Sequence, residues 1–245
     1  MLTLDNLKVY DKALTLAAGA EALTAAWGRR HAIVGHFRRA SESIVLNLAE
    51  AARLRPGADK VRTLEYAVGS SLECAACLDL ARVKQCLHSE QCVAEKKCLL
   101  EISRMLIGLR KGWLGSMLRE EPKDPPVEDS AGSSEVLFHH ESLDVYQVGL
   151  DFMRWFLKLP GGKELADRGC REIDKSATSV VLNIAEGNGR YSELDHRRFL
   201  EIAAASAVKV RVHLDIHGRR RLAACLELTP GREFLNRIVA MLSRF

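Results

Sequence analysis

Apolar residues recur every three or four positions along most of the chain, and clusters of glycine, proline and charged residues interrupt the pattern. This spacing predicts amphipathic α-helices, and no alternating apolar and polar stretch bounded by turn residues indicates a β-strand. In the first half, the interruptions predict helices over residues 4–27, 31–54, 59–87 and 90–119. In the second half, they predict helices over residues 140–159, 163–186, 192–222 and 231–244.

The chain repeats itself with an offset of 136 residues. The segment Ser43–Glu50 (SIVLNLAE) aligns with Ser179–Glu186 (SVVLNIAE), with six of eight positions identical and conservative exchanges at the other two. The alignment needs no gap from Leu7 to about Leu80. A duplication of this length predicts two copies of one module, each an antiparallel four-helix bundle.

The two copies are joined by an acidic connector. Residues 120–138 contain three of the six prolines and few apolar residues, which predicts an extended, mobile linker. The predicted domains are therefore a first bundle over residues 1–119, the linker over 120–138 and a second bundle over 139–245. By residue count, these segments carry net charges of +6, −5 and +3.

Composition predicts a soluble cytoplasmic protein. Hydrophobic residues are 47% and charged residues 28% of the chain. The apolar runs are too short to span a bilayer, and the first residues lack the basic region of a signal peptide, so we expect no membrane partner. Two of the seven cysteines, Cys74 and Cys77, lie in an apolar helical pattern, which favours reduced thiols in a core.

The repeated motif places a serine, an asparagine and a glutamate on one helix face. These residues are Ser43, Asn47 and Glu50 in the first copy, and Ser179, Asn183 and Glu186 in the second. In one interpretation they bind one another or a facing helix and fix its register. In the other, they face an oligomer seam or a ligand.

Only the second copy continues into Gly187-Asn188-Gly189-Arg190. The glycines predict a tight turn with positive φ, which leaves backbone N–H groups beside Arg190. Such a turn either contacts a phosphate or simply caps the helix.

The run Ser179–Arg190, followed by Phe199, Leu200 and Ser206, resembles the pattern of a known family. It is similar to the four-helix-bundle proteins encoded in intervening sequences of bacterial 23S ribosomal RNA, and to the accessory variability determinant proteins of diversity-generating retroelements. The resemblance implies a non-enzymatic module with a basic surface, typically assembled into pentameric rings. It implies nucleic acid and a reverse transcriptase as partners, and a homo-oligomer as the state of the chain.

Dense clusters of arginine are the candidates for contact with the backbone of RNA or DNA. They are Arg29–Arg30, Arg38–Arg39, Arg190, Arg197–Arg198 and Arg219–Arg220–Arg221. Solvated helix faces and charges at helix ends are the alternative explanation. Because aromatic residues for base stacking are scarce, we expect any such binding to be weakly sequence-selective.

Candidate chemistry beyond binding is sparse. The chain has no nucleophile elbow, phosphate-binding loop or dinucleotide motif, so we predict neither an enzyme nor a cofactor. His213 and His217 are spaced to share a metal, but no third ligand is evident, and we predict no metal site. The predicted function is a non-catalytic oligomeric adaptor that contacts nucleic acid or a nucleic-acid enzyme; a purely protein-binding scaffold is the alternative.

Overall fold

The computed structural model describes residues 4, 7–28, 30–115, 138–221 and 225–244. Within these ranges the chain forms helices and no strand, which confirms the predicted all-α class. The helices are α1 (Lys8–Ala25), α2 (Ala32–Arg53), α3 (Ala58–Val83), α4 (Ser89–Gly115), α5 (Asp144–Phe156), α6 (Arg168–Asn188), α7 (Glu193–Arg221) and α8 (Cys225–Leu242), with a short 3-10 helix over His139–Ser142. None of the helices within the described ranges is long and apolar enough to cross a membrane.

The helices pack as two similar bundles. In the first, α2 packs along α3, α4 covers another side of α3, and α1 contacts both α2 and α4. The second repeats this order, with α6 along α7, α8 against α7, and α5 against α6 and α8. The two predicted four-helix bundles are therefore confirmed.

The bundles also share an interface, which the sequence did not predict. Helix α3 packs against α6, so that α2, α4 and α6 surround it and bury most of its length. As a result, the buried apolar residues of both bundles form one continuous cluster. The predicted linker lies outside the described residues, except for Phe138, which is buried.

Most helix boundaries differ from prediction by a few residues, and three of the differences have local reasons. Helix α3 ends at Val83 because Gln85 adopts a left-handed φ of 58°, and the Cys86 N–H donates to the Ala81 carbonyl at 2.8 Å. Helix α6 begins at Arg168, where Asp167 Oδ1 accepts from the Cys170 N–H at 2.8 Å and caps the helix. Helix α8 begins at Cys225 and continues through Pro230, which forgoes one backbone hydrogen bond.

Candidate functional site

The repeated motif joins neighbouring helices in the first bundle. Asn47 Nδ2 donates to the Ser43 carbonyl at 2.8 Å and to Ser43 Oγ at 2.9 Å. The Ser43 hydroxyl bonds in turn to the hydroxyl of Ser70 on α3, at 2.8 Å. The amide of Asn47 therefore positions a hydroxyl that links α2 to α3.

The second bundle reproduces this network. Asn183 Nδ2 donates to the Ser179 carbonyl at 2.7 Å and to Ser179 Oγ at 3.1 Å. The hydroxyls of Ser179 and Ser206 lie 2.9 Å apart and link α6 to α7. Serine and asparagine thus act as in the first interpretation of the motif, because they bind one another and the facing helix.

The two glutamates of the motif lie in different environments. Glu50 is exposed on α2, whereas Glu186 is partly covered and forms an ion pair with Arg190. Burial and the nearby carboxylate of Glu73 raise the pKa of Glu186, against the opposite effects of Arg190 and His36. Glu73 lies on α3, so this charge cluster spans the contact between the bundles.

The predicted glycine turn is wrong. Helix α6 continues through Gly187 to Asn188, and Gly189 has a φ of −87°, so neither glycine adopts positive φ. The glycines instead allow close approach of neighbouring helices. A Cβ on Gly187 would lie 2.9 Å from the Cβ of Phe199, and one on Gly189 would lie 2.9 Å from Leu72 Cδ1.

Arg190 is buried and does not present its guanidinium to a phosphate. Its side chain is only 5% exposed and pairs with Glu186. The guanidinium lies 4.8 Å from the ring centroid of Tyr66 on α3 and 4.6 Å from that of Phe199 on α7. Attraction to these rings and burial against α3 explain why the predicted phosphate contact is not available to Arg190.

A buried charge network joins the bundles at a second place. Lys96 Nζ lies 2.8 Å from Asp79 Oδ1 and 2.7 Å from Glu141 Oε1, and the Tyr146 hydroxyl donates to Asp79 at 2.9 Å. Burial opposes the charged form of Lys96, but the two carboxylates outweigh this effect and raise its pKa. The network connects α3 and α4 of the first bundle to the start of the second.

A third polar contact between the bundles is a buried ion pair. Lys84, just after α3, pairs with Asp174 on α6, and both side chains are almost completely buried. The Ala32 N–H, at the start of α2, also donates to Asp174, at 3.3 Å. Three helices therefore meet at one buried carboxylate.

Helix α7 leaves exposed the face that its counterpart α3 buries. Tyr66, Leu72 and Glu73 of α3 lie against Arg190, Gly189 and Glu186, at and just beyond the end of α6. At the equivalent positions of α7 the chain has Ile202, Val208 and Lys209, all exposed. The exposed apolar side chains of this face, which we call the α7 face, are 39–80% exposed: Leu194, Ile202, Val208, Val212 and Ile216.

Helix α2 shows the complementary difference. Leu182 on α6 is 2% exposed, whereas its equivalent on α2, Leu46, is 67% exposed. Glu50 is exposed one turn further along the same helix. We call the surface around Leu46 and Glu50 the α2 face.

The predicted nucleic-acid residues are spread over several helices. Among the described residues, Arg30, Arg39, Arg198 and Arg219 are exposed. Arg38 Nε donates to Thr24 Oγ1 at 2.8 Å, and Arg197 lies 3.4 Å from Glu201, so both have local partners. Arg29 and the side chains of Arg220 and Arg221 lie outside the described part of the structure.

The cysteines of the first bundle are shielded thiols. The six cysteines whose side chains the structure describes form no disulfide. Burial raises the pKa of the Cys74 and Cys77 thiols well above the usual range, because a thiolate is poorly solvated there. These two side chains therefore act as small apolar groups of the α3 core.

The model of one protein family, the 23S rRNA-intervening sequence protein, matches residues 5–108 and 141–244. The chain belongs to the 23S rRNA-intervening sequence protein family. The two matched segments cover most of the two bundles, which confirms that the chain is a tandem duplicate of a family module. Comparison with curated proteins and with solved structures gave no match. The contact of α3 with α6 is thus a contact between two family modules within one chain.

Proposed function

We propose that the protein is a non-catalytic, oligomeric helical-bundle adaptor that works through the outer faces of its helices. The α7 face carries this proposal. Large apolar patches on soluble proteins mark interaction surfaces, and here five apolar side chains follow one side of a single helix. The same side of α3 is covered by a helix of the other module.

The occupant that fits the α7 face is the α2 face of a second copy of the chain. Inside the chain, the third helix of the first bundle, α3, packs on the second helix of the second bundle, α6. The equivalent helices without such a contact are α7, the third helix of the second bundle, and α2, the second helix of the first. Their docking sides stay exposed. Repeating the internal contact between chains would cover both.

Charge at the equivalent positions favours this pairing. In the internal contact Glu73 and Glu186 are like charges, and Glu73 contributes to the raised pKa of Glu186. Between chains the corresponding residues would be Lys209 and Glu50, which have opposite charges. Such pairs favour the correct register during association.

The contact between chains would be less close than the internal one. In the internal contact, two glycines meet so closely that a Cβ on Gly189 would lie 3.1 Å from the Gly69 Cα. Between chains, Arg53 takes the position of Gly189 and Ala205 takes that of Gly69. A contact between two different faces is head-to-tail, so it produces a ring if the rotation closes and a filament if it does not.

Light scattering on the full chain tests the assembly. At micromolar concentration we expect a mass above that of the monomer, and L46K or V212D should weaken association by about tenfold or more, because each places a charge in the apolar contact. The matched control is L14K, since Leu14 is an exposed leucine on α1, a helix that forms neither face. A monomer mass for the unaltered chain at this concentration would contradict the proposal.

Charge reversal tests the register separately. E50K or K209E alone should weaken association, whereas E50K/K209E in one chain should restore it, because each new lysine meets a new glutamate on the neighbouring chain. If L46K, V212D and both charge reversals leave association unchanged, the chain is an oligomer but the α2 and α7 faces do not form its contact.

Contact with the backbone of RNA or DNA is a second proposed role. It is supported by the exposed Arg30, Arg39, Arg198 and Arg219 and by the net charge of +4. Binding of this kind neutralises phosphates and releases counterions, so affinity should fall steeply with salt, with a logarithmic slope of about −0.7 to −0.9 for each phosphate contacted.

Filter binding or anisotropy with RNA and DNA of mixed sequence, over a range of salt concentrations, measures this slope. Replacing Arg219, Arg220 and Arg221 by Ala should weaken binding to every sequence alike and make the slope shallower. Absence of binding at low salt would favour the purely protein-binding scaffold. Unchanged affinity in the triple variant would exclude that arginine cluster.

A further inference from the structure

Three side chains of different chemistry converge where α6 begins beside the end of α7. They are Asp167, the residue that caps α6; Cys170, in the first turn of α6; and His217 on α7. One donor atom from each, a carboxylate oxygen, the thiol sulfur and an imidazole nitrogen, lies within 4.8 Å of the other two. The Oδ1 of Asp167 and the Nδ1 of His217 are 3.8 Å apart.

The backbone comes close to two of these donors at a glycine. Gly169 lies beside them, and a Cβ at this position would come within 3.1 Å of both Asp167 Oδ1 and His217 Nδ1. Any larger residue would therefore crowd the two donor atoms.

The distances are close to those of a metal site. Zinc binds carboxylate oxygen and imidazole nitrogen at about 2.0–2.2 Å and thiolate sulfur at about 2.3 Å. Two ligand atoms on one ion are therefore separated by roughly 3.3–3.7 Å in tetrahedral geometry. The separation of 3.8 Å between Asp167 Oδ1 and His217 Nδ1 is within a few tenths of an ångström of this range, and a contraction of at most about 1.5 Å brings the sulfur into place.

We propose that Asp167, Cys170 and His217 form a binding site for a divalent transition metal, best suited to zinc. Three protein ligands leave a fourth position for water or another ligand, as in open zinc sites. The side chain of Asp167 is 41% exposed, which provides a path for the ion from solvent. On binding, the Cys170 thiol releases its proton to solvent and the thiolate sulfur coordinates the metal.

A second three-residue cluster in the molecule shows why this one is selected. Asp79, His140 and Glu141 also lie within metal-binding distance of one another. There, the ammonium of Lys96 already occupies the cation position, at 2.8 and 2.7 Å from the two carboxylates. The imidazole of His140 is completely buried beside this ammonium, and burial, Lys96 and His139 lower its pKa to about 3.

The site belongs to the second bundle alone. The first bundle has His31, Val34 and Ala81 at the positions equivalent to Asp167, Cys170 and His217. The metal would tie the first turn of α6 to the last turns of α7, and binding to the folded state alone would raise the stability of the second bundle. The proposal is independent of the oligomer and of nucleic-acid binding.

Titration of the reduced, untagged full chain with Co²⁺, followed by Zn²⁺, tests the proposal. We expect one Co²⁺ per chain, a near-ultraviolet thiolate-to-cobalt charge-transfer band, loss of that band when Zn²⁺ displaces the cobalt, and a higher unfolding temperature with zinc. C170S should abolish the band. D167N retains an oxygen that can cap the Cys170 N–H, so it should fold normally and lower the affinity about tenfold or more.

H213A is the matched control, because His213 lies one turn before His217 on α7 but outside the cluster. It should leave the band and the affinity unchanged. Circular dichroism verifies that each variant folds. If C170S does not fold, the affinity of D167N decides the question. A band that persists in C170S, an affinity unchanged in D167N, or no cobalt binding below millimolar concentration would overturn the site.

Discussion

Replacing Lys84 by Met is expected to lower the free energy of unfolding by about 3–5 kcal/mol, because it leaves the carboxylate of Asp174 buried without its cation. Methionine is close to lysine in length, and its end would lie beside an apolar neighbour, because Lys84 Nζ is 3.8 Å from the Met153 sulfur. The loss therefore reports the unpaired charge rather than a cavity. The remaining partner of Asp174, the Ala32 N–H at 3.3 Å, is too weak to compensate.

Urea unfolding of K84M measures this effect. The double variant K84M/D174N should recover most of the loss, because the amide is neutral and still accepts the Ala32 N–H. The matched control is R154M, which breaks the exposed Arg154–Asp151 pair and should cost less than about 1 kcal/mol. A K84M chain as stable as the unaltered protein would show that this ion pair does not hold the bundles together.

Replacing Lys96 by Met is expected to have an equal or larger effect, since two buried carboxylates then lose one shared cation. Asp79 and Glu141 would face each other without the ammonium that now lies within 2.8 Å of each. Removal of one partner of a buried ion pair typically costs about 3–5 kcal/mol. The Tyr146 hydroxyl, which donates to Asp79 at 2.9 Å, would still satisfy one oxygen of that carboxylate but brings no positive charge.

The pH dependence of the unaltered protein follows from the raised pKa of Lys96. A lysine whose folded-state pKa lies above its unfolded-state value stabilises the protein fully below the unfolded value and loses that contribution as pH rises through the folded value. The stabilisation by Lys96 is therefore complete at neutral pH and is lost only in strong alkali.

Thermal unfolding of K96M across pH, beside K12M, separates a buried network from a surface pair. Lys12 pairs with Glu101 at 2.6 Å, but both side chains are largely exposed, and we expect no resolvable change in K12M. A K96M chain that unfolds at the same temperature as K12M would indicate that water reaches Asp79 and Glu141.

Helix type and duplication were predictable because both are local or linear properties of the chain. Apolar spacing placed the eight helices, and the alignment of Ser43–Glu50 with Ser179–Glu186 established the tandem copies before any contact was known. The bonds of Asn47 and Asn183 were also anticipated in kind. A buried amide needs a partner, and a serine one turn away is within reach.

The contact between the copies could not be predicted in the same way. Both α3 and α7 have apolar residues beyond those that fill their own bundles, but only α3 has another module against that side. The sequence contained one relevant signal: the first copy has Glu73 where the second has Lys209. This difference can be interpreted only when the helix that faces each residue is known. Asp167 and Cys170 were missed as partners of His217 because they are some 50 residues away along the chain.

The sequence by itself determined an all-helical tandem repeat, because helix periodicity and internal similarity can be read without knowing what packs where. Only the tertiary structure decided that Arg190 is buried between aromatic rings, that two lysines neutralise carboxylates across the interface between the bundles, and that the α7 face remains exposed. The physical reason is that the free energy of a charged or apolar side chain depends on the water its neighbours remove, and those neighbours come from distant parts of the chain.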